Sequence, residues 1–309
     1  MEIALVGTKV YPEQWLPRLR ERLPQDRFHV FPDVPDRDAI EIAIVAAPRP
    51  GEVAQLPKLK LAQCLWMGVD ALMLDASLPK GVPVARMVDP SMIAAMSETV
   101  LHCVIDFHRG FHTYRAQQAA RVWAHVTQRM PSDRTVGFLG LGELGADAAK
   151  KLLALGFNVC GWSRTKKNLP GVDSYAGDEG LVQMLPRCDI VVCLLPLTPH
   201  TTGILSKQLL DRMKKGSALV HLARGAQMVT KDVVAALDSG QLGHAYLDVF
   251  ETEPLPADDP LWGRADVSIT PHIAALTEPR TALEVVAENV ERIRRGDKPL
   301  HVVNFSAGY

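Results

Sequence analysis

Three segments each place a reactive side chain just past an apolar run that reads as a strand. Val220–His221–Leu222–Ala223–Arg224–Gly225 delivers a guanidinium, Leu247–Asp248–Val249–Phe250–Glu251–Thr252–Glu253 delivers carboxylates, and Thr270–Pro271–His272–Ile273–Ala274 delivers an imidazole. If the strands are parallel, their ends share one edge, where ligands bind in open α/β sheets. Arg, Glu and His converging there have a simple use. The cation grips a carboxylate or polarises a ketone, the imidazolium donates a proton, and a carboxylate beside it favours the charged ring. His221 lies an odd number of residues before Arg224, so it points to the other side of its strand and reads as a packing residue. His200 and Asp70 read as loop residues.

A second constellation could hold phosphates. Thr135–Leu139 reads as a strand, breaks into Gly140-x-Gly142-x-x-Gly145 and continues as helix-forming Ala146–Leu153. Gly140 permits the tight turn, Gly142 lets the backbone approach a pyrophosphate, and Gly145 lets the helix lie on the strand. Glu143 and Leu144 fall in the first turn, whose free N–H groups and positive end attract phosphate. The motif alone is weak; its place between strand and helix strengthens it. An acidic residue about twenty positions on normally selects NAD. Here the second strand ends in Ser163–Arg164–Thr165–Lys166–Lys167 instead. A hydroxyl, a guanidinium and two ammonium groups attract a 2′-phosphate that a carboxylate would repel, so the cofactor expected is NADP(H), held by Ser163, Arg164 and Thr165, with NAD(H) used less well.

The elements that must position these groups alternate. Ile3–Val6, Arg27–Val30, Ile42–Ala46, Leu59–Leu65 and Val84–Met87 read as strands, with a helix over Pro12–Leu23. The loop Trp66–Met67–Gly68–Val69–Asp70 follows a strand and so lies at a carboxyl edge. A helical stretch runs from Ser91 or Ser97 to Ala124, apolar and aromatic toward its end. It reads either as a domain-linking helix that pairs two copies through Ser97–Trp123 or as an ordinary core helix. A second series of six strands starts at Thr135, Asn158, Ile190, Ala218, Ala245 and Val267, and Glu278–Arg295 is a returning helix. The fold expected is α/β: two doubly wound parallel-sheet, Rossmann-like domains, with the cofactor domain (99–275) inserted into a flavodoxin-like substrate domain (1–98 plus 276–309).

Composition excludes several functions. The 309 residues are 47% hydrophobic and 22% charged, with a net charge of −1, which gives no electrostatic case for nucleic acid or an anionic membrane. No apolar run reaches membrane-spanning length, and the start has no basic leader, so a cytoplasmic protein is expected. The five cysteines form no C-x-x-C pair and read as reduced, buried thiols; no metal is expected.

The glycine turn, Leu194–Gly203, Met213–Gly225, Asp248–Pro256 and Thr270–Ala274 together resemble the D-isomer-specific 2-hydroxyacid dehydrogenases, over essentially the whole chain. Leu65–Asp70 and Trp162–Thr165 look most like the glyoxylate/hydroxypyruvate reductase A branch. The resemblance implies NADPH-linked reduction of a small 2-ketoacid. Arg224 would bind the substrate carboxylate and carbonyl oxygen, His272 would donate the proton, and Glu253 would hold His272 charged. Backbone N–H groups of Met67, Gly68 and Val69 would bind the carboxylate, with Arg224 and His272 facing the nicotinamide. Leu195 and Pro196 would flank the cofactor, and Asp248 with backbone at Leu222 and Ala223 would meet its carboxamide. A bulkier 2-ketoacid such as phenylpyruvate is the alternative substrate, with Trp66, Trp123 and Trp262 as possible pocket walls. A cofactor-sensing corepressor is the alternative from another class.

Overall fold

The structure is a computed structural model that describes residues 1–305 and 308. The chain divides into two compact units, Met1–Met92 with the chain from Thr277 onward, and Ile93–Leu276. The first unit opens with β1 (Glu2–Val6), α1 (Pro12–Arg22), β2 (Arg27–Val30), β3 (Ile42–Val45), β4 (Leu61–Cys64), α2 (Asp70–Met73) and β5 (Val84–Ala85). Its strands are parallel and ordered β2-β1-β3-β4-β5, the flavodoxin-like arrangement. β1, β3 and β4 are buried on both faces because a doubly wound sheet covers both, and they are apolar there apart from Gln63 of β4.

The division between the units falls within α3 (Pro90–Arg109). The second unit continues with α4 (Phe111–Ala120), β6 (Thr135–Leu139), α5 (Glu143–Ala154), β7 (Asn158–Ser163), β8 (Val172–Ala176) and α6 (Gly177–Met184). It closes with β9 (Ile190–Cys193), α7 (Lys207–Leu210), β10 (Ser217–His221), α8 (Thr230–Asp238), β11 (Leu242–Leu247) and β12 (Val267–Ile269). All seven strands are parallel, in the order β12-β11-β10-β9-β6-β7-β8. The direction of winding reverses between β6 and β9, which is the switch point where such sheets take ligands. Two apolar clusters cover the faces of this sheet, one holding α3 and α5, the other α7 and α8. The chain returns to the first unit as α9 (Pro279–Arg295), whose Ala282, Leu283, Val286 and Val290 are buried. Among the described residues no helix is long and apolar enough to cross a membrane.

Two expectations need correction. The second sheet has seven strands, not six: β8, Val-Asp-Ser-Tyr-Ala, is an edge strand with no fully buried residue, so it lacks the apolar signature of its neighbours. The helical stretch to Ala124 is broken. Gly110, at φ 70°, separates α3 from α4, and Arg121, at φ 57°, ends α4. Beyond it the chain folds back, with the Val126 N–H donating to the Tyr114 hydroxyl (3.0 Å) and the Gln128 amide to the Arg109 carbonyl (3.3 Å).

Candidate active site

Because the sheet is parallel, β6, β9, β10, β11 and β12 deliver the glycine turn, Leu194–Pro196, Leu222–Arg224, Asp248–Glu253 and Thr270–His272 to one edge. The catalytic candidates sit on these strand ends. His272 and Glu253 are joined directly, Nδ1 to Oε2 at 2.7 Å. An ionised carboxylate only accepts, so Nδ1 carries the hydrogen and Nε2 is the nitrogen left for a ligand. The other Glu253 oxygen accepts the Phe250 N–H at 2.9 Å, which fixes the carboxylate within its own loop. His272 is 47% and Glu253 35% exposed at the side chain, so the pair is open to a small molecule.

His272 has φ 54°, a left-handed conformation rare outside glycine. Asp248, 1% exposed, holds the turn in that shape. Its carbonyl accepts the His272 N–H (2.8 Å), Oδ1 accepts the Thr270 hydroxyl (2.6 Å) and the Ile273 N–H (2.9 Å), and Oδ2 accepts the Ala274 N–H (3.0 Å). Both carboxylate oxygens are therefore engaged in the turn that carries His272. Thr270 opens the segment that delivers His272, but only the folded turn shows that its hydroxyl reaches Asp248.

Arg224 occupies an extended residue that leads into a tight 3-10 turn, Gly225–Gln227. Its Nη1 donates to the Ala223 carbonyl at 2.7 Å. Gly225 is required by close approach: a Cβ there would lie 1.9 Å from the Phe250 carbonyl carbon and 2.4 Å from the Glu251 nitrogen. The Arg224 turn thus abuts the loop that carries Glu253. His221 is fully buried, and burial pushes its imidazole down to about 4, so it is neutral. Its Nε2 donates to the Arg224 carbonyl (3.0 Å), so this packing residue also braces the Arg224 turn. Gln227, an amide buried in that turn, also escapes sequence reading.

The glycine turn fits a pyrophosphate. A Cβ on Gly145 would fall 2.1 Å from the Gly140 carbonyl oxygen, and one on Gly140 2.9 Å from the Leu194 oxygen, whereas Gly142 faces open space. Gly142 caps α5 with no side-chain bond, so the N–H groups at Glu143, Leu144 and Gly145 head a helix that lacks a competing cap. At the end of β7, the Ser163 hydroxyl donates to the Thr165 carbonyl (2.7 Å), while Arg164, Thr165 and Lys166 are exposed. In the first unit, Met67 and Gly68 are half-buried and Val69 is buried, in the loop between β4 and α2. The Thr277 hydroxyl donates to the Leu65 carbonyl (2.6 Å), and the Met87 N–H to the Trp66 carbonyl (2.9 Å), which fixes that loop's start. Trp66, Trp262 and Trp123 are 39%, 52% and 95% exposed. All five cysteines are free and buried, and among the described residues no group of His, Cys, Asp or Glu could hold a metal.

Residues 101–274 match the sequence model of the family described as D-isomer specific 2-hydroxyacid dehydrogenase, NAD binding domain. The chain is 40% identical to glyoxylate/hydroxypyruvate reductase A of Serratia proteamaculans over 302 residues, 96% of each chain. It superposes on a D-isomer specific 2-hydroxyacid dehydrogenase of Xanthobacter autotrophicus, solved with NADPH and MES, with a TM-score of 0.96 and 38% identity, covering 100% of this chain and 99% of that one. An NADPH-dependent glyoxylate/hydroxypyruvate reductase of Sinorhizobium meliloti, solved with NADP and sulfate, gives a TM-score of 0.94 and 35% identity with both chains fully covered (100%). A glycine turn at the switch point, an Arg–Glu–His set on neighbouring strand ends and these matches have one common reading: the chain belongs to the D-isomer-specific 2-hydroxyacid dehydrogenase family.

Proposed function

We propose that the protein reduces small 2-ketoacids, glyoxylate to glycolate and hydroxypyruvate to D-glycerate, with NADPH as the reductant. The observation that carries the reading is the His272–Glu253 pair at 2.7 Å, on the sheet edge that also bears the glycine turn and Arg224. The names of the Serratia and Sinorhizobium relatives support the substrate class, and the NADPH and NADP in two solved relatives support the cofactor.

The residues present fit the cofactor. Gly140, Gly142, Glu143, Leu144 and Gly145 would hold its pyrophosphate, and Ser163, Arg164 and Thr165 its 2′-phosphate. Leu195 and Pro196 would flank it, and backbone at Leu222 and Ala223 would meet the nicotinamide end. Asp248, whose two carboxylate oxygens are engaged in the His272 turn, would act there by holding that turn rather than by meeting the carboxamide. NADPH, when bound, supplies a hydride to C2 of the ketoacid. Arg224 binds the ketoacid carboxylate and the oxygen on C2. His272 gives the proton from Nε2 to that oxygen, so ketoacid, hydride and proton balance to the 2-hydroxyacid. Glu253 keeps Nδ1 hydrogen-bonded and the ring oriented while Nε2 loses its proton.

We further propose a homodimer formed through Ser97–Trp123, along α3, α4 and the residues after them. Phe111, Val122 and Trp123 are 47%, 51% and 95% exposed, an apolar surface of the kind that marks protein contacts. Sedimentation of wild type against Trp123→Ser tests it; an unchanged dimer, or a wild-type monomer, removes that assignment.

The activity is tested by following NADPH and NADH absorbance with 2-ketoacids of graded size. Glyoxylate and hydroxypyruvate are expected to give the highest kcat/KM, with NADPH preferred. A preference for phenylpyruvate moves the substrate to a bulkier class. No ketoacid-dependent oxidation of either cofactor rejects the enzyme reading in favour of a binding protein.

A further inference from the structure

We infer that Gln227 is a positioning residue, a strut that sets the spacing between the Leu195–Pro196 segment and Arg224. The inference rests on the reading above, in which those two segments meet cofactor and substrate. Leu195–Pro196 follows β9 and Arg224 follows the adjacent β10, past the last ladder bond between the two strands, Leu222 N–H to the Cys193 carbonyl at 3.3 Å, so no ladder bond joins the two segments themselves. Gln227 is 0% exposed and lies between them. Its Nε2 donates to the Leu195 carbonyl (3.1 Å) and to the Pro196 carbonyl (3.0 Å). Its Oε1 accepts the Arg224 N–H at 3.2 Å and the Cys193 thiol at 3.9 Å. Two donated and two accepted bonds engage both ends of the amide, and its orientation is unambiguous: the carbonyls demand its nitrogen and the Arg224 N–H its oxygen.

The strut is braced on its second side. The Gln227 N–H donates to the Arg224 carbonyl at 3.0 Å, and that same carbonyl receives His221 Nε2 at 3.0 Å. Pro196 is likewise held twice, since its carbonyl also accepts the Thr201 hydroxyl at 2.7 Å. Arg224 backbone and Pro196 carbonyl are thus fixed relative to each other through one side chain. An apolar residue of the same length would leave an N–H and a carbonyl buried without partners, and the two segments would part to reach water. A side chain that acts this way changes binding at both segments without touching either ligand.

The test is Gln227→Met, made in wild type and in Arg224→Ala. NADPH affinity is read from quenching of tryptophan fluorescence, and glyoxylate kcat/KM at saturating NADPH. In wild type the substitution is expected to raise the NADPH Kd about tenfold and to lower glyoxylate kcat/KM about 30-fold, the scale of unpairing buried backbone groups. In Arg224→Ala the same change should lower glyoxylate kcat/KM by less than about threefold, because a strut has little effect once the side chain it positions is gone. An NADPH Kd within about twofold of wild type, or the same fold-loss in both backgrounds, overturns the inference; the latter is what general loosening of the core gives. If Gln227→Met does not fold by circular dichroism, Gln227→Glu takes its place. It keeps an acceptor for the Arg224 N–H and loses both donors, so it should raise the NADPH Kd about tenfold, and an unchanged Kd overturns the inference. If wild type fails to oxidise NADPH with any ketoacid, the reaction assigned above falls, while the NADPH titration still decides the role of Gln227.

Discussion

The turn that carries His272 and the loop that begins at Ser163 sit on the same sheet edge and are built in opposite ways. The His272 turn spends Asp248 entirely on itself: a carbonyl and two carboxylate oxygens accept three N–H groups and a hydroxyl. That investment holds a non-glycine residue at φ 54°. In the Ser163 loop the Ser163 hydroxyl donates to the Thr165 carbonyl and the Lys167 N–H to the Ser174 hydroxyl, while Arg164, Thr165, Lys166 and Lys167 lie at the surface. The difference follows from the chemistry each must do. Proton transfer needs a nitrogen placed to a fraction of an ångström. Attraction of a phosphate needs charge more than exact placement, and long exposed cations supply it at little cost to the fold.

The sharpest way to break this comparison is to remove the group that the rigid turn presents. His272→Ala should lower kcat by at least about 100-fold, the scale of losing a general acid, while NADPH binding stays close to wild type. Near-normal turnover would mean that the clamped turn serves the fold and not the reaction. Gly225→Ala attacks the same region through packing. Its Cβ would lie 1.9 Å from the Phe250 carbonyl carbon, so the Arg224 turn and the Glu253 loop must separate. We expect a loss of about 1–3 kcal/mol in stability and a fall in kcat/KM larger than the fall in NADPH affinity. Wild-type stability with wild-type kcat/KM would show that the two loops tolerate separation.

The comparison also separates what a sequence discloses from what it does not. Strand ends were legible, because β6, β9 and β10 are centred on apolar runs of the kind that a sheet covered on both faces requires. Arg224, Glu253 and His272 follow β10, β11 and β12, which lie side by side in the sheet, and so could be placed at one edge. β8 was not legible: at the sheet's margin nothing forces its residues to be apolar. Nor was the bend at Gly110, because the pattern on either side of it is equally helical. The bonds of Asp248 and Gln227 were out of reach for another reason. A buried carboxylate or amide finds its partners among backbone groups, and backbone groups are the same at every position of a sequence.

Acid should loosen the rigid region before it affects the exposed loop. His221, which braces Arg224, is fully buried, and burial pushes it down to about 4; His244, 1% exposed within β11, is pushed down to about 4 by burial and by the His112 ring beside it. Above the ordinary imidazole range both rings are neutral in either state and stability is level. Between about 6.5 and 4 the unfolded chain takes protons that the native chain refuses, so stability falls with pH. The decline levels off below about 4, where the native rings protonate as well. Asp106 and Asp189, whose carboxyls are held low by Arg115 with Tyr246 and by Lys214 with Arg134, add a further loss in the same direction at more acidic pH. Urea unfolding at pH 7.5 and 5.5 should differ by about 2 kcal/mol in favour of the higher pH. Equal or greater stability at pH 5.5 would show that these rings accept protons in place.

The smallest effect should come from the open loop, and its size tests whether charge alone governs there. Ser163→Asp puts a carboxylate where the 2′-phosphate is proposed to lie. Ser163 is 8% exposed and donates only to the Thr165 carbonyl, so the change removes one internal bond and adds one negative charge. Against a phosphate carrying about two charges, repulsion in a partly solvated site amounts to about 1–2 kcal/mol, an order of magnitude in affinity. The ratio of kcat/KM for NADPH over NADH should therefore fall by about tenfold, with kcat for a given ketoacid little changed, because the His272 turn is untouched. The repulsion is screened by salt, so the shift should be larger at 0.02 M than at 0.5 M ionic strength, at about the Debye length's dependence. A ratio that stays put at both ionic strengths would place the 2′-phosphate elsewhere. A fall in kcat for both cofactors alike would mean that the loop is coupled to the rigid turn, and that the two regions are not independent.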